Sequence, residues 1–279
     1  MSSNKKRIDK LLVEKDYFSS RSKAKRAIMA GEVKVNQQII DKAGTRVAVD
    51  AEIEVEEKQR FVSRGGQKLL EALEKFSVDP GGKTALDIGS STGGFTDCLL
   101  QHGTEEVYAV DSGTNQLVWK LRDDPRVNVY EQTNFRYWQP DNLGNYFDLV
   151  VIDVSFISLT LILPNAVNFM KSGAELISLI KPQFEAGPEN VQDGGVVRDT
   201  KIHKKVIDKV LQCSRENFLL PVNLTFSPIR GRKSKNIEYL LYACYQPGKE
   251  DIAIQAEKNI SEKDINRVIN EAYRDFKRG

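Results

Sequence analysis

The sequence predicts an α/β fold: a mostly parallel sheet whose last strand is antiparallel, with a small α+β domain in front of it. Short apolar strands alternate with helical segments from about residue 84 onward, which is the pattern of parallel strands joined by crossover helices. The final two strands follow each other without a helix, which indicates an antiparallel hairpin. Residues 1–46 carry 12 Lys and Arg against 5 Asp and Glu, a net charge of +7, whereas the rest carries −5. This asymmetry favours a polyanionic partner for the N-terminal domain.

The N-terminal domain is predicted to span residues 1–57. Apolar residues recur at helical spacing within residues 5–17. Ser20 is a suitable N-cap for a second helix over residues 21–30, which Gly31 ends. Four short strands are predicted after it, at residues 33–35, 38–40, 45–47 and 52–55.

A linker over residues 58–62 is predicted to lead into a larger domain, residues 63–246, which is followed by a tail, residues 247–279. The larger domain opens with a helix over residues 63–76, and the tail is polar with a helix-prone stretch over residues 264–276. Seven strands are predicted in the larger domain, at residues 85–88, 107–110, 127–131, 149–153, 176–180, 222–226 and 237–244.

The composition and the cysteine and apolar patterns argue against a disulfide-rich, metal-binding, secreted or membrane-spanning protein. Hydrophobic residues at 40% and charged residues at 29% are typical of globular proteins. Cys98, Cys213 and Cys244 are odd in number and lack metal-ligand spacing, so we expect neither a disulfide framework nor a metal site. The N-terminus lacks the apolar core of a secretion signal, and the most apolar stretch, residues 147–170, is interrupted by two aspartates and a proline. We therefore expect a cytoplasmic protein without membrane contact.

The most informative stretch is a glycine-rich turn between an apolar strand and a helix, Asp87-Ile-Gly89-Ser-Ser-Thr-Gly93-Gly94. Glycines let the backbone approach a ligand closely, and the free N–H groups of the following helix can hold an anionic group. One strand later, Asp111 lies where a carboxylate can bind both hydroxyls of a ribose. The turn lacks the Gly-x-Gly-x-x-Gly pattern of dinucleotide sites, and Asp87 would repel a pyrophosphate but attract a cationic amine. These features favour S-adenosylmethionine as the cofactor. The alternative is a turn that needs glycine only for packing.

The same pattern predicts individual cofactor contacts. We expect Asp111 on the ribose hydroxyls and Asn134, after the third strand, at the adenine edge; the alternative for Asn134 is an ordinary turn residue. The residues expected along the methionine and ribose side are Asp87, Gly89, Ser90, Ser91, Gly93, Gly94 and Phe95.

Several short motifs occur in a fixed order along the chain. They are Arg7-Ile-Asp-Lys-Leu-Leu, Ser20-Arg-Ser-Lys-Ala-Lys-Arg-Ala, Gly31-Glu-Val-Lys-Val-Asn, Ser63-Arg-Gly-Gly-Gln-Lys-Leu, Asp87-Ile-Gly-Ser-Ser-Thr-Gly-Gly-Phe-Thr-Asp, Asp153-Val-Ser-Phe-Ile-Ser and Lys181-Pro-Gln-Phe-Glu. The first three resemble the RNA-binding module first named from a small-subunit ribosomal protein, and the others resemble the FtsJ-like 2′-O-ribose methyltransferases. In this order, over about residues 5–245, they are similar to the TlyA family, whose members methylate ribosomal RNA and are often named hemolysins.

This resemblance implies a Rossmann-like, seven-stranded methyltransferase sheet with S-adenosylmethionine as cofactor. It also implies ribosomal RNA or ribosomal subunits as the partner and cytidine as the target nucleotide.

By the same resemblance, a Lys-Asp-Lys-Glu tetrad falls on Lys68, Asp153, Lys181 and Glu238. The strand assignment supports this placement, because Asp153 and Lys181 leave parallel strands at the edge where open α/β sheets bind ligands. Glu238 opens an antiparallel strand, whose start lies at that same edge. Taken singly, each of the four is also explained as an ordinary surface or turn residue.

Methyl transfer from a sulfonium to a ribose hydroxyl requires removal of a weakly acidic proton. We expect Lys181 to be the general base, Asp153 and Glu238 to orient it, and Lys68 to assist substrate binding or charge balance. A lysine is a base only when neutral, and lowering its pKa from about 10.4 to roughly 7–8 costs about 3–4 kcal/mol. Asp153 is followed by Val-Ser-Phe and not by Pro-Pro-Tyr, which argues against an exocyclic amine as the target and favours ribose.

Basic residues at two places are candidate RNA contacts through phosphate binding. The alternative for each is a solvated surface charge. The first group belongs to the N-terminal domain, and the second lies in the hairpin before the last strand. The candidates are Lys5, Lys6, Arg7, Arg21, Lys25 and Arg26, followed by Arg230, Arg232 and Lys233.

Two other functions stay open on the sequence alone. One is an RNA-binding factor whose methyltransferase domain is catalytically idle, which the intact tetrad positions disfavour. The other is a cytolysin, which follows the hemolysin label of the family and which the absence of an apolar span disfavours.

Overall fold

The chain forms two compact units, Met1–Gln59 and Arg60–Gly279. The structure is a computed structural model, and it describes residues 4–55, 60–231, 236–248 and 260–276.

The first unit is a small α+β domain. Its apolar helix positions, among them Ile8, Leu12 and Ile28, are fully buried against the short strands. Ser20 caps the second helix as predicted, because its Oγ accepts a hydrogen bond from the Lys23 amide at 3.4 Å. The elements are β1 (Lys5–Arg7), α1 (Ile8–Glu14), α2 (Arg21–Met29), β2 (Val33–Val35), β3 (Gln38–Ile39), β4 (Arg46–Ala48) and β5 (Ile53–Val55).

The start of this unit differs from the sequence-based expectation. Residues 5–7 do not begin the first helix; they form β1, which pairs antiparallel with β4. The helix begins only at Ile8, whose amide donates a hydrogen bond to the carbonyl of Thr45 at 2.8 Å. The strands β3, β2 and β5 form a separate antiparallel sheet in that order.

The second unit is an α/β domain. Its helices are α3 (Gly65–Phe76), α4 (Gly94–Gln101), α5 (Trp119–Arg122), α6 (Leu163–Ala166), α7 (Pro182–Glu185), α8 (Thr200–Glu216) and α9 (Glu262–Asp275). Its strands are β6 (Thr84–Ile88), β7 (Glu106–Val110), β8 (Val127–Tyr130), β9 (Phe147–Ile152), β10 (Met170–Ile180), β11 (Leu219–Phe226) and β12 (Tyr239–Tyr245).

The sheet of this unit has the order β11-β12-β10-β9-β6-β7-β8. The strands β10, β9, β6, β7 and β8 are mutually parallel, and β12 runs antiparallel to both of its neighbours, β10 and β11. The predicted seven-stranded, mostly parallel sheet with an antiparallel last strand is therefore confirmed. Because β12 runs antiparallel to β10, its first residue, Tyr239, is paired with the last residue of β10, Ile180.

Both faces of the central strands are buried, as parallel sheets require. Side chains alternate between two core clusters: Leu86 and Val150 pack on one face, and Ala85 and Leu149 on the other. Helix α3 adds Leu69 to the second cluster. Asp153 and Lys181 follow directly after the last residues of β9 and β10.

Residues from the predicted tail pack against this core. Ser261 caps α9 in a capping box with Asp264, and Ile265, Val268 and Ile269 are buried in the first core cluster. Their spacing places them on one helical face. Among the residues that the structure describes, no helix combines the length and the apolarity needed to cross a membrane.

The second half of the predicted linker is part of the larger unit. Phe61 is buried, and the amide of Val62 donates a hydrogen bond to Asp97 Oδ2 at 2.9 Å. A Cβ added at Gly66 in the first turn of α3 would lie 2.2 Å from Phe61 Cγ. Glycine is therefore required at position 66 by the close approach of this aromatic ring.

We expect Gly66→Ala to lower the free energy of unfolding by about 1–3 kcal/mol, because an extra methyl group in a packed core forces its neighbours to move. Urea denaturation measures this loss. Gly144→Ala is the matched control, since a Cβ at Gly144 would lie 3.7 Å from its nearest neighbour, the Asn168 carbonyl oxygen. Equal stabilities for the two variants would contradict the packing described here.

Candidate active site

A cavity of about 560 Å³ opens at the carboxyl ends of β6, β7 and β9. This is the edge where open α/β sheets bind ligands. The residues that line it are Ile88, Gly89, Ser91, Val110, Asp111, Ser112, Thr133, Asn134, Phe135, Asp153, Val154, Ser155, Phe156, Ile157 and Ile162.

The floor of the cavity depends on Gly89. Its φ is +84°, and a Cβ there would lie 2.8 Å from the carbonyl oxygen of Asp153. The Gly89 amide donates to the Val110 carbonyl at 2.8 Å, so the turn after β6 is fixed against the end of β7. Glycine at this position lets three strand ends meet around one ligand site.

The other two glycines of the turn are explained by packing. A Cβ at Gly93 would lie 2.3 Å from Leu121 Cδ1, and one at Gly94 would lie 2.2 Å from Ser63 Oγ. Of the predicted methionine-side contacts, Ser90, Gly93, Gly94 and Phe95 are buried beside the turn and do not line the cavity. Gly89 and Ser91 do line it.

The carboxylate of Asp111 lies against the glycine-rich turn that follows β6. Its Oδ2 accepts a hydrogen bond from the Ser91 amide at 2.8 Å, and its Oδ1 accepts one from the Gly113 amide at 2.7 Å. Each carboxylate oxygen has a second lone pair, so both can still accept a hydroxyl. Asn134 also lines the cavity, where its Oδ1 accepts a hydrogen bond from the Arg136 amide at 3.2 Å.

Asp87 lies beneath the turn, outside the cavity lining. It is fully buried, and its Oδ2 accepts a hydrogen bond from Thr96 Oγ1 at 2.6 Å, whereas its Oδ1 has no hydrogen-bond partner among the described residues. Burial raises the pKa of the Asp87 carboxyl to about 7, despite the opposing hydrogen bond from Thr96.

Two of the four predicted catalytic residues form an ion pair at the cavity wall. Lys181 Nζ lies 2.6 Å from Asp153 Oδ1 and donates a hydrogen bond to Ser155 Oγ at 2.9 Å. Burial alone would raise the pKa of the Asp153 carboxyl, but the ammonium groups of Lys181 and Lys68 hold it below its ordinary value.

The other two residues form a second ion pair. Lys68 Nζ lies 2.5 Å from Glu238 Oε2, and both side chains are nearly completely buried. Burial lowers the pKa of Lys68, but the charges of Asp153 and Glu238 outweigh it and raise the pKa above its ordinary value. Since the charge of Asp153 acts on both lysines, the two pairs form one cluster.

Strand register brings these four residues together. Ile180 in β10 is paired with Tyr239 in β12, so Lys181 and Glu238 extend from the same end of adjacent strands. Lys68 reaches them from α3, where it lies one turn before Ala72 on the buried face.

Phe156 is a site residue that the sequence analysis did not single out. Its side chain is 90% exposed although it lines the cavity, and its φ is +64°, which is costly for a bulky residue. Its ring lies 5.0 Å from the ring of Phe184. In the sequence, its position inside the motif Asp153-Val-Ser-Phe-Ile-Ser was the feature that could have indicated it.

This chain is similar in sequence to known proteins over most of its length. The FtsJ-like methyltransferase family matches residues 61–245, and the S4 domain matches residues 6–53. A Bacillus subtilis protein provisionally named rRNA methyltransferase YqxC is 47% identical, over 99% of this chain and 97% of its own. The 16S/23S rRNA (cytidine-2′-O)-methyltransferase TlyA of Mycobacterium tuberculosis is 37% identical, over 95% and 96%. A solved structure from Streptococcus thermophilus, named as a hemolysin, is 41% identical with a TM-score of 0.74, over 99% and 98%.

This chain belongs to the FtsJ-like methyltransferase family. The membership confirms the predicted class of enzyme, an S-adenosylmethionine-dependent RNA methyltransferase, and the predicted cofactor. The cavity lies beside Gly89, and both oxygens of Asp111 can still accept a hydroxyl there, so these residues fit that cofactor. The predicted N-terminal RNA-binding module is confirmed as an S4 domain.

In the S4 domain, two of the candidate RNA-binding residues, Arg7 and Arg21, form ion pairs with the same aspartate, Asp9. Asp9 is fully buried, and its oxygens lie 3.1 Å from Arg7 Nε and 2.6 Å from Arg21 Nη2. Burial alone would raise the pKa of Asp9, but the two guanidinium groups lower it to about 2. Of the others, Lys6 pairs with Glu14, and the side chains of Lys5, Lys25 and Arg26 are exposed.

The second group of RNA candidates is only partly described. The guanidinium of Arg230 lies 4.5 Å from the centre of the Phe276 ring and donates a hydrogen bond to the Phe276 carbonyl. In the structure this arginine therefore binds the end of α9. Arg232 and Lys233 lie outside the described residues.

We expect Asp87 to make the stability of this methyltransferase pH-dependent. The folded state keeps the proton up to about pH 7, whereas an unfolded aspartate releases it near pH 4. The stabilisation is therefore present below about pH 4 and is lost as the pH rises towards 7, by up to about 4 kcal/mol. Urea unfolding of the wild type and Asp87→Asn between pH 4 and 8 measures it: the wild type should lose stability relative to the variant. A difference that does not change with pH would contradict the burial argument.

Proposed function

We propose that this chain transfers the methyl group of S-adenosylmethionine to the 2′-hydroxyl of a cytidine in ribosomal RNA. The observation that carries the proposal is the cluster of Lys68, Asp153, Lys181 and Glu238. Its member Asp153 lines the cofactor cavity. The name of the Mycobacterium tuberculosis relative supports the nucleotide and the type of RNA. A ribosomal substrate also implies a cytoplasmic enzyme.

In this proposal, Asp111 accepts the ribose hydroxyls of the cofactor and Asn134 meets the adenine edge. Gly89 and Ser91 provide the backbone along the methionine side. The cofactor supplies an electrophilic methyl group on a sulfonium. The carboxylate of Asp153, which lines the same cavity, provides a negative charge that favours this cation.

Lys181 acts as the general base for the 2′-hydroxyl. Its ion pair with Asp153 and its hydrogen bond to Ser155 fix the direction of its nitrogen, which general base catalysis requires. A lysine accepts the 2′-hydroxyl proton only in its neutral form. Glu238 and Lys68 neutralise each other behind this pair and keep the cluster balanced.

The exposed ring of Phe156 completes the site. It offers an aromatic face at the cavity on which the base of the target nucleotide can stack. The S4 domain docks the RNA through phosphate contacts, as the excess of basic residues in this part of the chain favours.

We expect Lys181→Ala to lower the rate of methyl transfer by at least about 100-fold, the usual contribution of a general base. Tritium transfer from labelled cofactor to ribosomal RNA measures the rate, and mapping of ribose methylation identifies the nucleotide. Cofactor affinity measured by calorimetry should persist, because Asp111 and Gly89 are unchanged.

Lys171→Ala is the matched control for this variant. Lys171 lies on the same strand, β10, and pairs with Asp148 of β9 at 2.8 Å, at the opposite edge of the sheet. Its loss should leave the rate intact. If Lys181→Ala methylates the RNA at the wild-type rate, Lys181 is not the general base. If the wild type binds the RNA but transfers no methyl group, the chain is instead an RNA-binding factor with a catalytically idle methyltransferase domain.

We expect Lys25→Ala to weaken the binding of ribosomal RNA without changing the fold, since Lys25 is exposed and makes no ion pair with any described residue. Losing one phosphate contact should lower the slope of log affinity against log salt by about 1. Arg126→Ala, a surface arginine paired with Asp124 in the methyltransferase unit, is the control. Identical salt slopes for Lys25→Ala and the wild type would contradict RNA docking at this position.

A further inference from the structure

We propose that Glu185 is a positioning residue that holds the segment 153–159, and with it Ser155 and Phe156, in the geometry needed for methyl transfer. The inference rests on the proposed function of Lys181. Glu185 lies at the end of α7, four residues after that lysine, and its side chain is almost completely buried.

The carboxylate of Glu185 joins two loops that leave neighbouring strands. Its Oε2 accepts a hydrogen bond from Ser158 Oγ at 2.5 Å, and its Oε1 accepts one from the Leu159 amide at 2.6 Å. Both donors belong to the segment after β9, whereas Glu185 belongs to the segment after β10. Short hydrogen bonds to a buried carboxylate are among the stronger ones in proteins.

Glu185 is itself anchored from a third element. Lys209 of α8 lies 3.7 Å from Glu185 Oε2, and its Nζ donates a hydrogen bond to the Glu185 backbone carbonyl at 3.3 Å. Helix α8 packs Val206, Ile207 and Val210 into the core. The carboxylate therefore connects the segment 153–159 to a rigid part of the sheet domain.

The two loops meet at two further places. Lys181 binds Asp153 and Ser155, and the ring of Phe184 lies against the ring of Phe156. Asp153, Ser155 and Phe156, which make these contacts, line the cavity. The Glu185 contacts lie outside the cavity lining, since neither Glu185 nor Ser158 nor Leu159 belongs to it.

The backbone at Phe156 explains why such a restraint is needed. A non-glycine residue at φ +64° costs about 1–3 kcal/mol and persists only when its surroundings fix it. Two residues later, Ser158 and Leu159 are held by Glu185. Without that hold, the segment can relax, which moves Ser155 away from Lys181 and turns the Phe156 ring from the cavity.

The first test is hydrogen exchange of the free protein, which does not depend on catalysis. In Glu185→Gln only one side-chain oxygen can accept, so Ser158 must reverse its hydroxyl to keep a contact, and both hydrogen bonds lose the negative charge that strengthens them. We expect amides in residues 153–162 to exchange at least about tenfold faster, as the loss of a hydrogen bond to a charged group predicts. Residues 84–88 in β6 should be unchanged. Glu189→Gln, an exposed glutamate four residues further on, is the control and should exchange as the wild type does.

The second test is steady-state kinetics of the same variants. Glu185→Gln should lower kcat about tenfold, because Lys181 and the target sugar lose their alignment. The cofactor dissociation constant should change by no more than about twofold, the range for independent sites. Ser158→Ala removes one of the two bonds from the other side and should show the same pattern to a smaller extent. The double variant should be no slower than Glu185→Gln alone.

Each outcome decides the proposal. Faster exchange together with a lower kcat in Glu185→Gln supports it, and if that variant does not fold, Ser158→Ala carries the same comparison. Exchange equal to that of Glu189→Gln overturns it, and so does a normal kcat despite faster exchange. A wild type that transfers no methyl group refutes the proposed function instead, and the exchange experiment then decides alone whether Glu185 restrains the segment.

Discussion

The site depends on burying two positive and two negative charges together. An isolated charge in a protein interior costs several kcal/mol, and only a close partner offsets that cost. Lys68 with Glu238 and Lys181 with Asp153 meet this condition at 2.5 and 2.6 Å. The insertion of β12 between β10 and β11 makes the arrangement possible, because only an antiparallel strand at that place begins where the parallel strands end.

Such a cluster is not needed for stability. Buried ion pairs are often no more stabilising than apolar side chains of the same size. Charged groups of this kind occur at functional sites, where their fields determine which group holds a proton. The pKa of Lys68 is raised and that of Asp153 is lowered, so each of these two members of the cluster favours its charged form.

The loops that follow β9 and β10 contain one strained backbone position and a buried side chain that restrains it. Phe156 adopts a left-handed backbone conformation and exposes its ring, while Glu185 fixes the residues that follow it. The turn at Gly89 likewise brings its backbone within contact of Asp153. Contacts outside the cavity, such as those of Glu185, thus fix the backbone segments around it, and the cavity surface stays free for ligands.

The sequence by itself determined the order of the strands and helices, the glycine-rich turn and the four charged positions, because periodicity, strand ends and family motifs are local properties. It did not separate Gly89, which lies at the cavity, from Gly93 and Gly94, which are needed for packing, since all three share one motif. The burial of Asp87, the pairing within the charged cluster and the roles of Phe156 and Glu185 were decided by the tertiary structure alone. Each of these features depends on which segments, distant in the sequence, come into contact. Burial, ion pairing and backbone strain exist only once those contacts have formed.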